Sequence, residues 1–470
     1  MSTMMQLQMA LPWLKGATLV GDGRTEVLRV HTDTRTIERG DLFLALQGEK
    51  FDANTMLHEA CKAGASALIC HAGLGADNYP EGVPRIEVAD TRVALVELAR
   101  GWRAQFALPL IAVTGSNGKT TVTQMIASIL VAAAGDDAMA TRGNLNNDIG
   151  VPLTVLRLRP HHRMAVVELG MNHPGEIAAL AHVAQPTVAL VNNAQREHLE
   201  FMQTVQAVAE ENGSVITQLP TDGTAVFPSD DAFTALWADL AAARRTVRFS
   251  LNPDVQANAV GCQSAQWADG AWAVQACVLG QDLAFRLHIA GRHNVKNALA
   301  AAACALAAGV SVDAVVQGLE RFTPVKGRSR AVALVGADRT RTLVDDTYNA
   351  NPDSVRAAIA VLAELPAPRL LVLGDMGEVG EQGPAFHAEA GAEARALGIE
   401  HLFAFGAAAQ HAVAAFPGAQ HFDSMEALNA AVLQQLPQVN SVLVKGSRFM
   451  RMERVVEALV QAADIGKGQP

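Results

Sequence analysis

The chain is 470 residues long and half hydrophobic, more than one ordinary core can hold, so two or three folded units are expected. Its formal net charge of −10 at pH 7 argues against a general nucleic-acid or membrane surface, so a polyanionic ligand must meet locally placed cations. Five cysteines, odd in number and without C-x-x-C spacing, fit a reducing cytoplasm rather than a disulfide framework.

No basic stretch followed by an apolar core opens the chain, so secretion is not expected. The first 107 residues mix short strands and helices and end in a helical stretch, Thr91 to Gln105, before Pro109. Next, Leu110 to Val113 read as a buried strand, and "VTGSNGKTT" follows at 113–121. The common phosphate loop, G-x-x-x-x-G-K-[ST], has its first glycine six residues before the lysine, and here that position is Val113. Context nevertheless favours a phosphate loop. Val122, Met125, Ile126, Ile129 and Leu130 fall on one helical face, so the order is strand, glycine loop, helix. Gly115 and Gly118 let the backbone around Ser116 and Asn117 aim its N–H groups inward, toward a helix N-terminus that favours an anion. Lys119 can reach a terminal phosphate, and the Thr120 hydroxyl, beside Thr121, can ligate Mg²⁺.

Further along, Met164 to Val167 lead into Glu168, and Val188 to Val191 into Asn192 and Asn193. The most membrane-like run, Ala298 to Val312, is short and mostly alanine, whereas a span needs roughly 20 strongly apolar residues. From about residue 325 strands and helices alternate. Thr342 to Val344 precede Asp345 and Asp346, and a helix starts near Pro352. Arg369 to Leu373 precede Asp375, and a helix covers Pro384 to Ala396. His401 to Phe405 and Ser441 to Val444 are strands, the latter before Lys445, and a last helix starts at Arg451. This rhythm predicts parallel, two-sided sheets. The fold class is therefore α/β in three domains: a small mixed domain at 1–107, a P-loop ATPase-like parallel-sheet domain at 108–324 and a Rossmann-like domain at 325–470.

Polar residues gather at the carboxyl ends of these strands, where open α/β sheets bind ligands. A nucleotide held on one domain is thus expected to meet a substrate on another. Taken alone, Glu168 reads either as a Walker-B-like partner of Mg²⁺ or as a carboxylate capping a strand or pairing with an arginine. His198 is either a metal ligand or a structural histidine. A nucleotide switch would use the same loop, but the guanine-binding N-K-x-D motif is absent.

"TGSNGKTT", "VELG", "NNAQREHLE", "GRHNVKNALAAAA", "GR" at 327–328 and "DDTYNANPDS" occur in the order seen in the Mur ligases, which the chain resembles along essentially its whole length. That family's own phosphate loop is the shortened one. The resemblance implies ATP-dependent amide formation through an acyl phosphate, with ATP and Mg²⁺ as cofactors. "GNLNNDIGVPLTVLRL" and "VELGMNHPGEIAALA" are similar to the members that use UDP-MurNAc-tripeptide and D-Ala-D-Ala, with a ligase for another residue or for folate as alternatives. It further implies that Lys119, Glu168 and His198 are catalytic and that Thr120, Glu168 and His198 hold metal. Gly115 to Thr121, Asn294, Arg328 and Asp346 would bind ATP. Asn294 also reads as an N-cap at the start of an alanine-rich helix. Thr32, Asp33, Thr34 and Arg35 would take the UDP end, although "TDTR" alone is a turn. Arg35 suits a diphosphate, and Asp33 suits uridine or a backbone hydrogen bond. Asn144, Asn146, Asn147, Asn349 and Asn351 complete the implied substrate contacts. A monomer without nucleic acid or membrane insertion is expected.

The chain departs from the family at one position. Most Mur ligases carry a lysine about fourteen residues after the metal-binding histidine, carbamylated to give the second metal a carboxylate. Here that position is Asn212, and no lysine lies between Lys119 and Lys296. On a helix Glu210 and Glu211 point away from position 212. The same-face positions, Val208, Ala209, Val215 and Ile216, carry no charge. The expectation is a weakly held second Mg²⁺, bound by His198, phosphate oxygens and water, with or without a share of Glu168.

Overall fold

The computed structural model describes residues 3–253, 258–268, 270–336 and 339–466. Among these, strands form four sheets. Met5–Gln6 pairs with Glu26–Val27. A five-stranded sheet follows the order Thr18–Val20, Arg85–Val88, Ala67–His71, Asp41–Leu44, Arg29–His31, antiparallel only at its first pair.

The nine-stranded sheet places Leu110–Thr114 between Val188–Val191 and Met164–Glu168, all parallel. Every residue of Leu110–Thr114 is buried, because both faces are covered. Leu110 and Ala112 face one hydrophobic cluster, with Val151, Ile177 and Val208. Ile111 and Val113 face the other, with Met125, Ile126 and Val295. The alternation has the two-residue period of a strand. The alanine run belongs to helix Arg292–Ala307, whose residues Ala298 to Ala305 are buried in this second cluster. Its hydrophobicity serves packing, and no described helix is long and apolar enough to cross a membrane.

The six-stranded sheet orders Arg330–Val335, Thr340–Asp346, Ser441–Lys445, Arg369–Gly374, His401–Phe405 and Gln420–Phe422, parallel after the first pair. The helices expected here occupy Pro352–Ala363, Gly383–Ala396 and Glu453–Gly466.

Two antiparallel features depart from the expected parallel rhythm. One is the pairing of Arg330–Val335 with Thr340–Asp346. The other is the meander Ala259–Ala268, Ala271–Val278, Gln281–Leu287 at the edge of the large sheet. Leu279 and Gly280 join the last two strands with φ of 49° and 81°, the left-handed pair that a two-residue hairpin turn requires.

Candidate functional site

The P-loop leaves the buried strand Leu110–Thr114 and opens the helix Lys119–Ala134. Gly118, with φ of 83°, lies so close to its neighbours that a Cβ there would come within 2.7 Å of Asn297 Oδ1 and 2.8 Å of Asn192 Nδ2. The loop is held mostly by amides. The Ser116 N–H donates to the Asn193 carbonyl (3.1 Å) and the Asn117 N–H to Asn193 Oδ1 (2.8 Å). Asn192 and Asn193 both donate to the Asn117 carbonyl (2.8 and 2.9 Å). Behind the loop, the fully buried Asn212 accepts from the Thr114 hydroxyl (2.5 Å) and the Gly115 N–H (3.0 Å) through one oxygen. Asn212 thus braces the loop backbone. Glu211 is also committed, accepting the N–H groups of Gly175 and Ile177 (each 2.7 Å) at the start of helix Glu176–Ala184.

Lys119 Nζ donates to the carbonyls of Gly115 (2.6 Å) and Ser116 (3.0 Å) and to Glu197 Oε1 (2.9 Å). Glu168, 2 % exposed at the end of Met164–Glu168, accepts from the Thr120 hydroxyl (3.1 Å) and Asn146 Nδ2 (2.8 Å). Among the described residues it pairs with no arginine. His198, in the left-handed conformation (φ 51°), has Nδ1 2.6 Å from Glu378 Oε2 and Nε2 3.5 Å from Glu197 Oε1. The Glu378 contact is a charge contact off the ring's donor direction, since Nδ1 makes no aligned hydrogen bond. Burial opposes a charged imidazole, but Glu197 and Glu378 outweigh it and push its pKa up to about 9. Burial likewise opposes a charged Glu197, yet Lys119 beside it holds the carboxyl below the usual range.

The six-stranded sheet contributes the other wall. Arg328 Nη2 donates to the Thr120 hydroxyl (3.2 Å), and its guanidinium stacks 3.9 Å from the centre of the Tyr348 ring. Asp346 accepts from the Ser329 N–H (3.0 Å) and Lys445 Nζ (2.5 Å); burial works against its charge, and Lys445 keeps it ionised. Asn351 caps helix Pro352–Ala363 by accepting the Ser354 N–H (2.8 Å), and its Nδ2 donates to Asn117 Oδ1 (2.9 Å).

Ser116, Asn117, Gly118, Lys119, Thr120, Thr121, Asn146, Asn147, Glu168, His198, Asn294, Arg328, Asp346, Asn349 and Asn351 all line one cleft of about 750 Å³. Asn294 is not an N-cap. It lies inside the first turn of Arg292–Ala307, donating to the Ala290 carbonyl (2.7 Å) and accepting from Asn297 (2.9 Å). Gly115, whose N–H is held by Asn212, and the exposed Asn144 do not line the cleft. Nor do Thr32, Asp33, Thr34 and Arg35, which form a turn. There Arg35 pairs with Asp33 at 2.6 Å and its hydrogen bonds lower the Asp33 pKa to about 2. Of the strand-end residues, Asp375 also falls outside, accepting the N–H groups of Ala408 and Ala409. Sequence reasoning passed over Glu197, although it directly precedes His198, and the Arg196–Asp353 pair, whose partners are separated by most of a domain.

Three family models cover the chain in order: the Mur ligase family catalytic domain at 26–103, the Mur ligase middle domain at 113–305 and the Mur ligase glutamate ligase domain at 327–448. The chain is 39 % identical to the UDP-N-acetylmuramoyl-tripeptide--D-alanyl-D-alanine ligase of Escherichia coli (strain K12), over 95 % of each chain. It is similar to a crystal structure of MurF from Acinetobacter baumannii, with TM-score 0.89, 34 % identity and coverage of 97 % of this chain and 99 % of that one. MurF from Thermotoga maritima in complex with ADP matches with TM-score 0.81 and 25 % identity over 93 % and 98 %.

Proposed function

Because this chain belongs to the Mur ligase family and matches its UDP-N-acetylmuramoyl-tripeptide--D-alanyl-D-alanine ligases along nearly its full length, we propose that it is an ATP-dependent amide ligase of that specificity. It joins D-Ala-D-Ala to UDP-MurNAc-tripeptide and releases UDP-MurNAc-pentapeptide, ADP and phosphate. The observation that carries the reading is the meeting of Lys119, Glu168, His198 and Arg328 in one cleft.

In this reaction a carboxylate oxygen of the tripeptide attacks the γ-phosphorus of ATP and ADP leaves. The dipeptide amine then attacks the acyl phosphate carbon, losing its proton as the tetrahedral adduct expels phosphate. Lys119 brings positive charge to the transferring phosphoryl group, and Arg328 adds a second cation from the opposite wall. The helix Lys119–Ala134 has no acidic residue in its first turn, so its N-terminus is free to favour phosphate. Asn294 and Asp346 serve the adenosine end, and the asparagines 144, 146, 147, 349 and 351 the peptide substrates. Thr32 to Arg35 serve the UDP end, where a diphosphate would compete with Asp33 for Arg35. We assign residues 1–107 to the UDP-sugar, 108–324 to ATP and 325–470 to closure and the incoming dipeptide. We further propose that the chain acts as a monomer.

Mg²⁺, when bound, would neutralise phosphate charge. Glu168 fits it. This buried carboxylate receives only neutral donors and has no cationic partner among the described residues, so a cation would offset its desolvation. Thr120 would join Glu168 on the first ion, and His198 would belong to a second. Among the described residues no three His, Cys, Asp or Glu side chains form a ready metal shell, so phosphate oxygens and water would complete whatever positions the protein's side chains leave open.

Phosphate release from ATP should require both UDP-MurNAc-tripeptide and D-Ala-D-Ala. Equal release without the dipeptide, or glutamate transfer to a folate instead, would overturn the reading.

A further inference from the structure

Glu197 poses a problem that the roles given above leave unsolved. It is 7 % exposed, lines the cleft, and directs Oε1 at both Lys119 Nζ (2.9 Å) and His198 Nε2 (3.5 Å). Its other oxygen, Oε2, is buried without a hydrogen-bond partner. A desolvated carboxylate oxygen with no donor is costly unless something positive completes it. Asn212 is a neutral amide whose oxygen is already engaged by Thr114 and Gly115, so it supplies no charge beside His198. Glu211 is engaged by Gly175 and Ile177. Glu378 also meets His198, at Nδ1, but it is half exposed and does not line the cleft, so Glu197 is the buried carboxylate beside His198 whose desolvation a cation would offset.

We propose that Glu197 is a divalent-cation ligand alongside His198, and that the cation and Lys119 compete for its carboxylate. With the cation absent, Glu197 ties down Lys119. When the cation takes the carboxylate, Lys119 is released toward the phosphates. Glu197 thus supplies from the residue next to the histidine the negative charge that no lysine carbamate can supply at position 212. The proposal rests on the ligase reading, but concerns the source of one ligand.

Glu197→Gln keeps the shape of the side chain and removes the charge. Binding of Mn²⁺ in the presence of ADP, followed by electron paramagnetic resonance, should show two ions per native chain. In Glu197→Gln the weaker of them should lose at least tenfold in affinity, with Glu197→Asp in between. Metal-free ADP should bind the Gln variant several-fold more tightly than it binds the native chain, because Lys119 no longer has a competing partner. A merely structural role would not move the two affinities in opposite directions. Native Mn²⁺ occupancy should be the same in buffer freed of carbon dioxide, a measurement that needs no variant. Native-like Mn²⁺ binding by Glu197→Gln, or loss of native occupancy without bicarbonate, overturns the proposal while leaving the ligase reading intact. Failure of the native chain to bind ADP at all would instead count against the ligase reading.

Discussion

Arg196 and Asp353 clamp the large sheet to the six-stranded one. The Arg196 backbone N–H (2.9 Å), Nε (3.2 Å) and Nη2 (2.8 Å) all donate to the Asp353 carboxylate, joining the segment after Val188–Val191 to the first turn of Pro352–Ala363. Arg196 also grips Glu389 with Nη1 and Nη2 (2.8 and 3.0 Å). Burial opposes the Asp353 charge, but these donors hold its carboxyl below the usual carboxylate range.

Asp353→Asn should loosen this clamp. A charge-assisted, multiply bonded pair is worth about 1.5–3 kcal/mol, enough to shift the balance between open and closed arrangements by tenfold or more. X-ray scattering should give a larger radius of gyration for the free variant, with bending near Pro109 and near residues 324–327, and recovery on adding an ATP analogue with the sugar nucleotide. Profiles that match the native protein in both states would count against it.

Lys119→Ala and Glu168→Ala should each lower the ligation rate by ~10²–10³ while leaving circular dichroism native-like, since on the proposed reading each removes a preorganised charge at the reacting phosphate. Near-normal turnover in either variant, with folding confirmed, would sink the assignment of both residues.

Gly118→Ala should abolish nucleotide binding before it unfolds the chain. Its φ of 83° costs an L-residue about 1–2 kcal/mol, and the new methyl would press on Asn297 and Asn192, which shape the loop. Calorimetric titration with ADP checks this, and unchanged affinity would mean that the loop tolerates a side chain there.

His162 makes stability fall on acidification. Its Nδ1 accepts the Arg159 N–H (2.9 Å), so the ring must stay neutral, and burial, His161 and the neighbouring arginines bring its pKa down to about 4. The unfolded chain, titrating near 6.5, takes up this proton first. The stability contributed by neutral His162 is therefore whole above pH 6.5 and is lost as pH falls toward 4. His162→Asn offers an acceptor without a titrating ring, and its urea midpoint should fall less between pH 7 and 4. Parallel curves for the two proteins would refute the role.

Local pattern was enough to specify much of this protein. The buried strand Leu110–Thr114, the glycine loop and the helix of Val122, Met125 and Ile126 follow from hydrophobic period and glycine placement, both short-range properties. The same reasoning located Glu168 and Asp346, because a polar residue that ends an apolar strand is visible in one line of sequence. The hairpin strands from Ala259 to Leu287 were missed. Their pairing depends on a turn at Leu279 and Gly280 whose positive φ values are a backbone property. Nor could sequence decide between the readings of Glu168, His198 and Asn294, since each depends on what packs beside it. Only the tertiary structure joins Arg328 to Thr120 across 208 positions of chain and sets Asn212 against the P-loop. It also leaves one oxygen of Glu197 buried and bare. Desolvation and charge pairing act through space, and the order of residues along the chain does not fix which groups share that space.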